Sequence, residues 1–232
     1  MSVVELPSGA SARLTGPPGG LAVVCVNGGS ARPRPGTWSA TLQWLVHQLA
    51  PRLPELRFAE VRYRVKSWRL LDPCMEDAVA AIEHVRAEGS PEVALVGFSM
   101  GGAVSLGVAE HPAVSTVIGL APWIPERWDG STLRGRRLSV IHGTLDAWLP
   151  VIPGVSHRHT LRNFERIRGW ASSSSHTLVR GGVHGTALHA PWGGLVRLPR
   201  AGRWRDLVAD ELRRFEAEAT QRAALPRLAE RA

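Results

Sequence analysis

Lysine is nearly missing from this 232-residue chain: of 28 basic residues all but Lys66 are arginine. Cysteine is almost as scarce. Two cysteines cannot build a metal cage, so no metal site is expected. Cys25 lies inside an apolar run and Cys74 near the start of a helical stretch. Reduced, buried thiols are therefore expected rather than a disulfide. No stretch approaches the 18 consecutive apolar residues of a membrane-spanning helix, so no membrane partner is expected. The start, Met1 to Pro7, has neither a basic leader nor a long apolar core. A secretory signal is not expected, and a cytoplasmic location is. Basic runs interleaved with aromatics are also missing, as are known nucleic-acid motifs. A nucleic-acid partner is thus not expected, despite a net charge of +8 and a pI near 11.1. Arginine in place of lysine, with abundant Ala, Gly and Pro, reads as GC-rich codon usage and a bacterial source. The basic surface can still draw in anionic substrates or polymers.

What is present fits one enzyme-sized α/β domain. Hydrophobic content is 44% and charged content 21%, both ordinary for a globular chain. Continuous apolar runs at Leu21 to Val26, Val93 to Val96, Val114 to Leu120 and Leu138 to Ile141 suit strands buried on both faces. Leu56 to Val61 and His176 to Val179 are further strands. Val3 to Leu6 and Ala12 to Leu14 are read as a short antiparallel edge hairpin. Between them, Thr37 to Leu49 has helical spacing and stops at Pro51 and Pro54. A second helix is expected to open at Asp72-Pro73, with Asp72 as N-cap, and to stop at Gly89. Arg158 to Arg168 and Trp204 to Ala217 also read as helices. Ser172 to Ser175 is expected to be a flexible loop. Strands alternating with helices imply a mostly parallel central sheet flanked by helices on both faces. The expected domain covers residues 1–218, with 219–232 as a tail expected to fray.

The most informative segment is Gly97-Phe98-Ser99-Met100-Gly101, between an apolar strand and a helix-forming stretch. The bare G-x-S-x-G pattern is weak evidence, but strand, pattern, helix is the context of a nucleophile elbow. Ser99 also suits a helix N-cap, the bland reading. A serine hydroxyl needs a base, and the base an orienting acid. Chains with this elbow carry them in the order Ser, acid, His. Asp146 follows the next strand but one, with Asp129 as a rival acid. His184 follows the last strand, with His189 and His142 as rivals. His142 is expected to pack or hydrogen-bond beneath the acid loop.

With these residues the chain resembles the α/β-hydrolase family over roughly Leu21 to Phe215. It is most similar there to compact, cap-less esterases and dienelactone-hydrolase-like enzymes. The resemblance implies an α/β-hydrolase fold without a large cap domain, and only Ala121 to Arg137 is available for one between two strands. It implies acyl transfer to Ser99, with His184 as base, Asp146 as its acid and no cofactor. Met100 and either Gly29 or Ser30 would supply the oxyanion-hole N–H groups, although Asn27-Gly28-Gly29 departs from the His-Gly start of many esterases. The expected substrate is a small-molecule carboxylic ester. Thioesterase, peptidase and acyltransferase chemistry would use the same triad, and a catalytically silent binding protein is the rival of another class. Monomer and homodimer both stay open. The chain has 9 tryptophans. Of these, Trp123, Trp148 and Trp192 are expected to wall the acyl pocket, against the plainer reading that they pack loops onto the core.

Overall fold

The structure, a computed structural model, describes residues 1–147 and 154–229. Eight strands form the central sheet: β1 (Ser2–Glu5), β2 (Ser11–Thr15), β3 (Ala22–Val26), β4 (Arg57–Arg62), β5 (Val93–Phe98), β6 (Val114–Leu120), β7 (Arg137–Gly143) and β8 (Ser173–Val179). Their order across the sheet is β1-β2-β4-β3-β5-β6-β7-β8. β1 and β2 form the expected antiparallel edge, β2 also pairs antiparallel with β4, and every other pairing is parallel.

The apolar runs became the central strands because both their faces are covered. On one face Val23, Cys25, Ala94, Val96, Ile118 and Ile141 pack against α1 (Ala40–Leu49) and α5 (Ala201–Ala229). On the other, Val24, Val26, Leu95, Val117 and Val140 pack against α2 (Asp72–Ala87), α3 (Met100–Gly107) and α4 (His157–Ile167). Cys25 and Cys74 therefore lie in different cores, both free and buried. Burial pushes both thiols up, that of Cys74 to about 11.

Three local expectations are corrected. Asp72 does not cap α2: Leu71 already has helical dihedrals and is the N-cap, so Asp72 occupies the first turn, where its charge favours the helix dipole. Ser173 to Ser175 are not a loop but the first half of β8. They align with Arg137 to Ser139 of β7, and Ser175 and Ser139 hydroxyls lie 3.1 Å apart. α5 does not end near Ala217 but runs to Ala229. Thr220 Oγ1 bonds back to the Glu216 carbonyl at 2.9 Å, and Arg222 pairs with Glu92. The link from β6 to β7 holds only a short 3-10 turn, Ser131–Leu133, so no cap domain is inserted there.

Candidate active site

Four parallel strands deliver their carboxyl ends to one edge of the sheet, where ligands of such sheets bind. β5 delivers Ser99. Its φ of 55° and ψ of −117° lie where a side chain is strained, and it is the N-cap of α3 without a side-chain capping bond. The bland reading of Ser99 as an ordinary cap is thus not what the backbone adopts. Its N–H donates to the Leu120 carbonyl, and its own carbonyl accepts from Gly102 and Trp123, each at 2.9 Å. The flanking glycines are dictated by close approach. A Cβ on Gly97 would strike the Gly101 carbonyl, and one on Gly101 the carbonyls of Val26 and Asn27.

The loops after β7 and β8 bring together Asp146 and His184. His184 Nδ1 and Asp146 Oδ2 are 2.8 Å apart, and both residues are buried. Asp146 Oδ1 accepts from the Val155 N–H at 3.0 Å, and His142 Nε2 lies 3.0 Å from Oδ2. Burial pushes the Asp146 carboxyl up. Hydrogen bonds and attraction from His142 and His184 outweigh this, and the carboxyl titrates below its ordinary value. His142 is where the sequence put it, under the acid loop. The rival acid Asp129 is exposed and merely accepts from the Ser131 N–H at 2.9 Å. His189 is exposed beside Gln43.

His184 and Ser99 line the same cleft, with Gly28, Gly29, Ser30, Trp68 and Phe98. The Phe98 ring lies 4.8 Å from the imidazole, centroid to centroid. Among the described residues Ser99 Oγ has no hydrogen-bond partner, a looseness common in unliganded sites.

The loop after β3 also approaches Ser99. A Cβ on Gly28 would sit 3.5 Å from Ser99 Cβ, and one on Gly29 would collide with the Met100 sulfur and the Trp68 indole. The loop is pinned three times: Asn27 Nδ2 donates to the Thr37 carbonyl at 2.7 Å, the Tyr63 hydroxyl to the Asn27 carbonyl at 2.9 Å, and the Trp68 N–H to the Ser30 carbonyl at 3.0 Å. Gly28 N–H is held by Asn27 Oδ1 at 2.6 Å, whereas no such bond engages the Gly29 N–H among the described residues.

None of the described tryptophans expected in the pocket wall lines the cleft. Trp123 does not line the cleft itself but packs against Trp68 with the rings tilted 44° and centroids 5.3 Å apart. Trp68, which sequence reasoning passed over, is the indole in the cleft wall. Its signal was present, a tryptophan in the loop following β4. Trp192 does not reach the cleft. It is 83% exposed at the tip of a hairpin pairing Ala187–His189 with Leu195–Arg197, a turn that points it to solvent. Trp148 lies outside the described residues.

No protein-family model matches the sequence, and no curated protein does. Solved structures do. A serine hydrolase homologue from Coxiella burnetii matches with a TM-score of 0.63 at 19% identity, over 91% of this chain and 96% of that one. The chain has the α/β-hydrolase fold. An esterase from Exiguobacterium antarcticum matches this chain at a TM-score of 0.59 and 13% identity, covering 92% of this chain and 98% of that one. A serine hydrolase without a lid from Xanthomonas campestris matches at 0.57 and 21%, covering 79% and 84%. The short β6–β7 link of this chain likewise leaves the described cleft without a cap inserted there. Among the described residues no helix is long and apolar enough to cross a membrane, and no cluster of potential metal ligands occurs.

Proposed function

We propose that this α/β-hydrolase is a serine hydrolase that cleaves carboxylic esters through an acyl-enzyme on Ser99. One observation carries the reading: a strained, buried serine at a strand-to-helix turn shares a cleft with a histidine held at 2.8 Å by a buried carboxylate. In this scheme His184 Nε2 takes the Ser99 proton as Oγ adds to the ester carbonyl carbon. Asp146 fixes the imidazole with its proton on Nδ1 and stabilises the imidazolium. The N–H groups of Met100 and Gly29 receive the oxyanion. Support for Met100 is its place as the first residue of α3, where the N–H has no partner within the helix. Support for Gly29 is its place beside Gly28, where a Cβ would lie 3.5 Å from Ser99 Cβ, in a pinned loop where its N–H is unengaged among the described residues; the Ser30 N–H is unengaged as well and stays the alternative. Losing one such donor costs about 10²–10³ in turnover. Collapse expels the alcohol, protonated by His184. The same histidine then activates water to release the acid and restore Ser99.

The test needs no assumed substrate. Purified protein is treated with a fluorophosphonate probe, and the adduct is located by peptide mass spectrometry. A rapid adduct on Ser99, lost in His184→Ala, is expected. Folded protein that gives no adduct would overturn the reading in favour of a silent binding protein.

A further inference from the structure

The cleft beside Ser99 carries charge of one sign. Arg34 and Arg69 line the recess of about 660 Å³ that holds Ser99 and His184. Lys66 lines the adjoining recess, which shares Gly28, Gly29, Phe98 and His184 with the first. Among the described residues neither recess is lined by an aspartate or glutamate.

Several arginines elsewhere in the chain are neutralised by carboxylates. Arg13 is paired with Glu60, Arg57 with Glu88, Arg64 with Asp77 and Arg137 with Glu211. Arg34, Lys66 and Arg69 have no carboxylate partner among the described residues.

The backbone also forces two of these cations together. Arg34 stands directly opposite Lys66 in a two-residue antiparallel ladder, where like charges destabilise the pairing. Lys66 Nζ donates to the neutral Thr37 hydroxyl at 2.7 Å. Partial burial, and then the Arg34 charge, lower the Lys66 pKa. A negative charge arriving in the cleft relieves this repulsion.

We propose that the cleft selects esters bearing an anionic group, carboxylate or phosphate, held near the scissile bond by Arg34, Lys66 and Arg69. The inference rests on the hydrolase reading above.

The experiment compares p-nitrophenyl butyrate with the mono-p-nitrophenyl ester of succinate, which has the same acyl length but carries a carboxylate. The expected result is a kcat/KM about tenfold or more higher for the succinate ester at low salt, the scale of a hydrogen bond to a charged group. The preference should shrink as salt is raised to about 0.5 M. It should also fall several-fold in Arg34→Gln/Arg69→Gln, two exposed positions, and separately in Lys66→Gln. Succinate and inorganic phosphate as competitive inhibitors tell which anion fits better. A neutral ester cleaved as well as the anionic one, or a preference untouched by all three substitutions, overturns this inference and leaves the hydrolase reading intact. Failure of both esters and of fluorophosphonate labelling overturns the hydrolase reading, and this one with it.

Discussion

His142 Nε2 lies 3.0 Å from Asp146 Oδ2, the same oxygen that His184 Nδ1 approaches at 2.8 Å. His142 is fully buried, and its Nε2 is also 2.8 Å from the Val155 carbonyl. A carbonyl only accepts, so the proton sits on Nε2 and is shared between Val155 O and the carboxylate. On the proposed hydrolase reading, His142 is thus a positioning residue for the acid. In His142→Leu the carboxylate loses a donor and Val155 O a partner. Stability should fall by about 2 kcal/mol, and ester turnover should drop through kcat with KM little changed. His142→Gln, which keeps a donor, should recover part of kcat. Equal kcat in wild type and the leucine variant would exclude the positioning role.

The backbone of Ser99 carries a cost that glycine would not. At φ 55° and ψ −117° a Cβ is crowded, and such a residue stores on the order of 1–3 kcal/mol. Ser99→Ala and Ser99→Gly should both lose turnover, but only the glycine variant should relieve the strain. Its thermal midpoint should exceed that of Ser99→Ala, although glycine ordinarily lowers stability through chain entropy. Calorimetry of the pair settles it. A glycine variant no more stable than the alanine variant would mean that the elbow is not strained at this residue.

What was legible in sequence was what local pattern controls. β3, β5, β7 and the apolar end of β8 stop at polar or glycine punctuation, and the cleft loop, Ser99, Asp146 and His184 follow those ends. Ser99, Asp146 and His184 could be ordered along the chain because each follows such a strand. The remainder depends on distant contacts. Ser173 to Ser175 have no strand pattern of their own and extend because β7 offers a parallel edge. Trp68 enters the cleft because its backbone N–H is tied to the Ser30 carbonyl. Trp192 has the same chemistry but is carried outward by its hairpin. Arg34 and Lys66 are far apart in sequence, and only the ladder between them makes their shared charge visible.

Substrate preference should therefore follow Trp68 rather than Trp192. The indole of Trp68 walls the cleft at Gly29 and is backed by Trp123, while Trp192 is 83% exposed. Against p-nitrophenyl esters of increasing acyl length, Trp68→Ala should shift the optimum toward bulkier acyl groups. Trp123→Ala should do so more weakly, through loss of this packing. Trp192→Ala should leave the profile unaltered. A Trp192 effect as large as that of Trp68 would mean that the hairpin folds over the cleft during turnover.

The Asp146 carboxyl is held below its ordinary value of 3.8, so the folded protein binds a proton there less readily than the unfolded chain. The sign follows directly: the carboxylate contributes stability above the unfolded pKa, and that contribution is lost as pH falls through the lower folded value. Asp146→Asn removes the charge at every pH. At about pH 7 the variant should be less stable by roughly 2 kcal/mol, the scale of a buried hydrogen bond to a charged group. Below about pH 4 the gap should narrow, because the wild-type carboxyl is itself becoming neutral. Urea midpoints of both proteins over a pH series measure this. Turnover at neutral pH should fall by about 10⁴, because an amide no longer imposes the proton-on-Nδ1 tautomer at His184. A stability gap that stays constant with pH would show that the shape of the Asp146 side chain, and not its charge, organises the acid loop. The full loss of turnover would then have to come from the histidine tautomer alone.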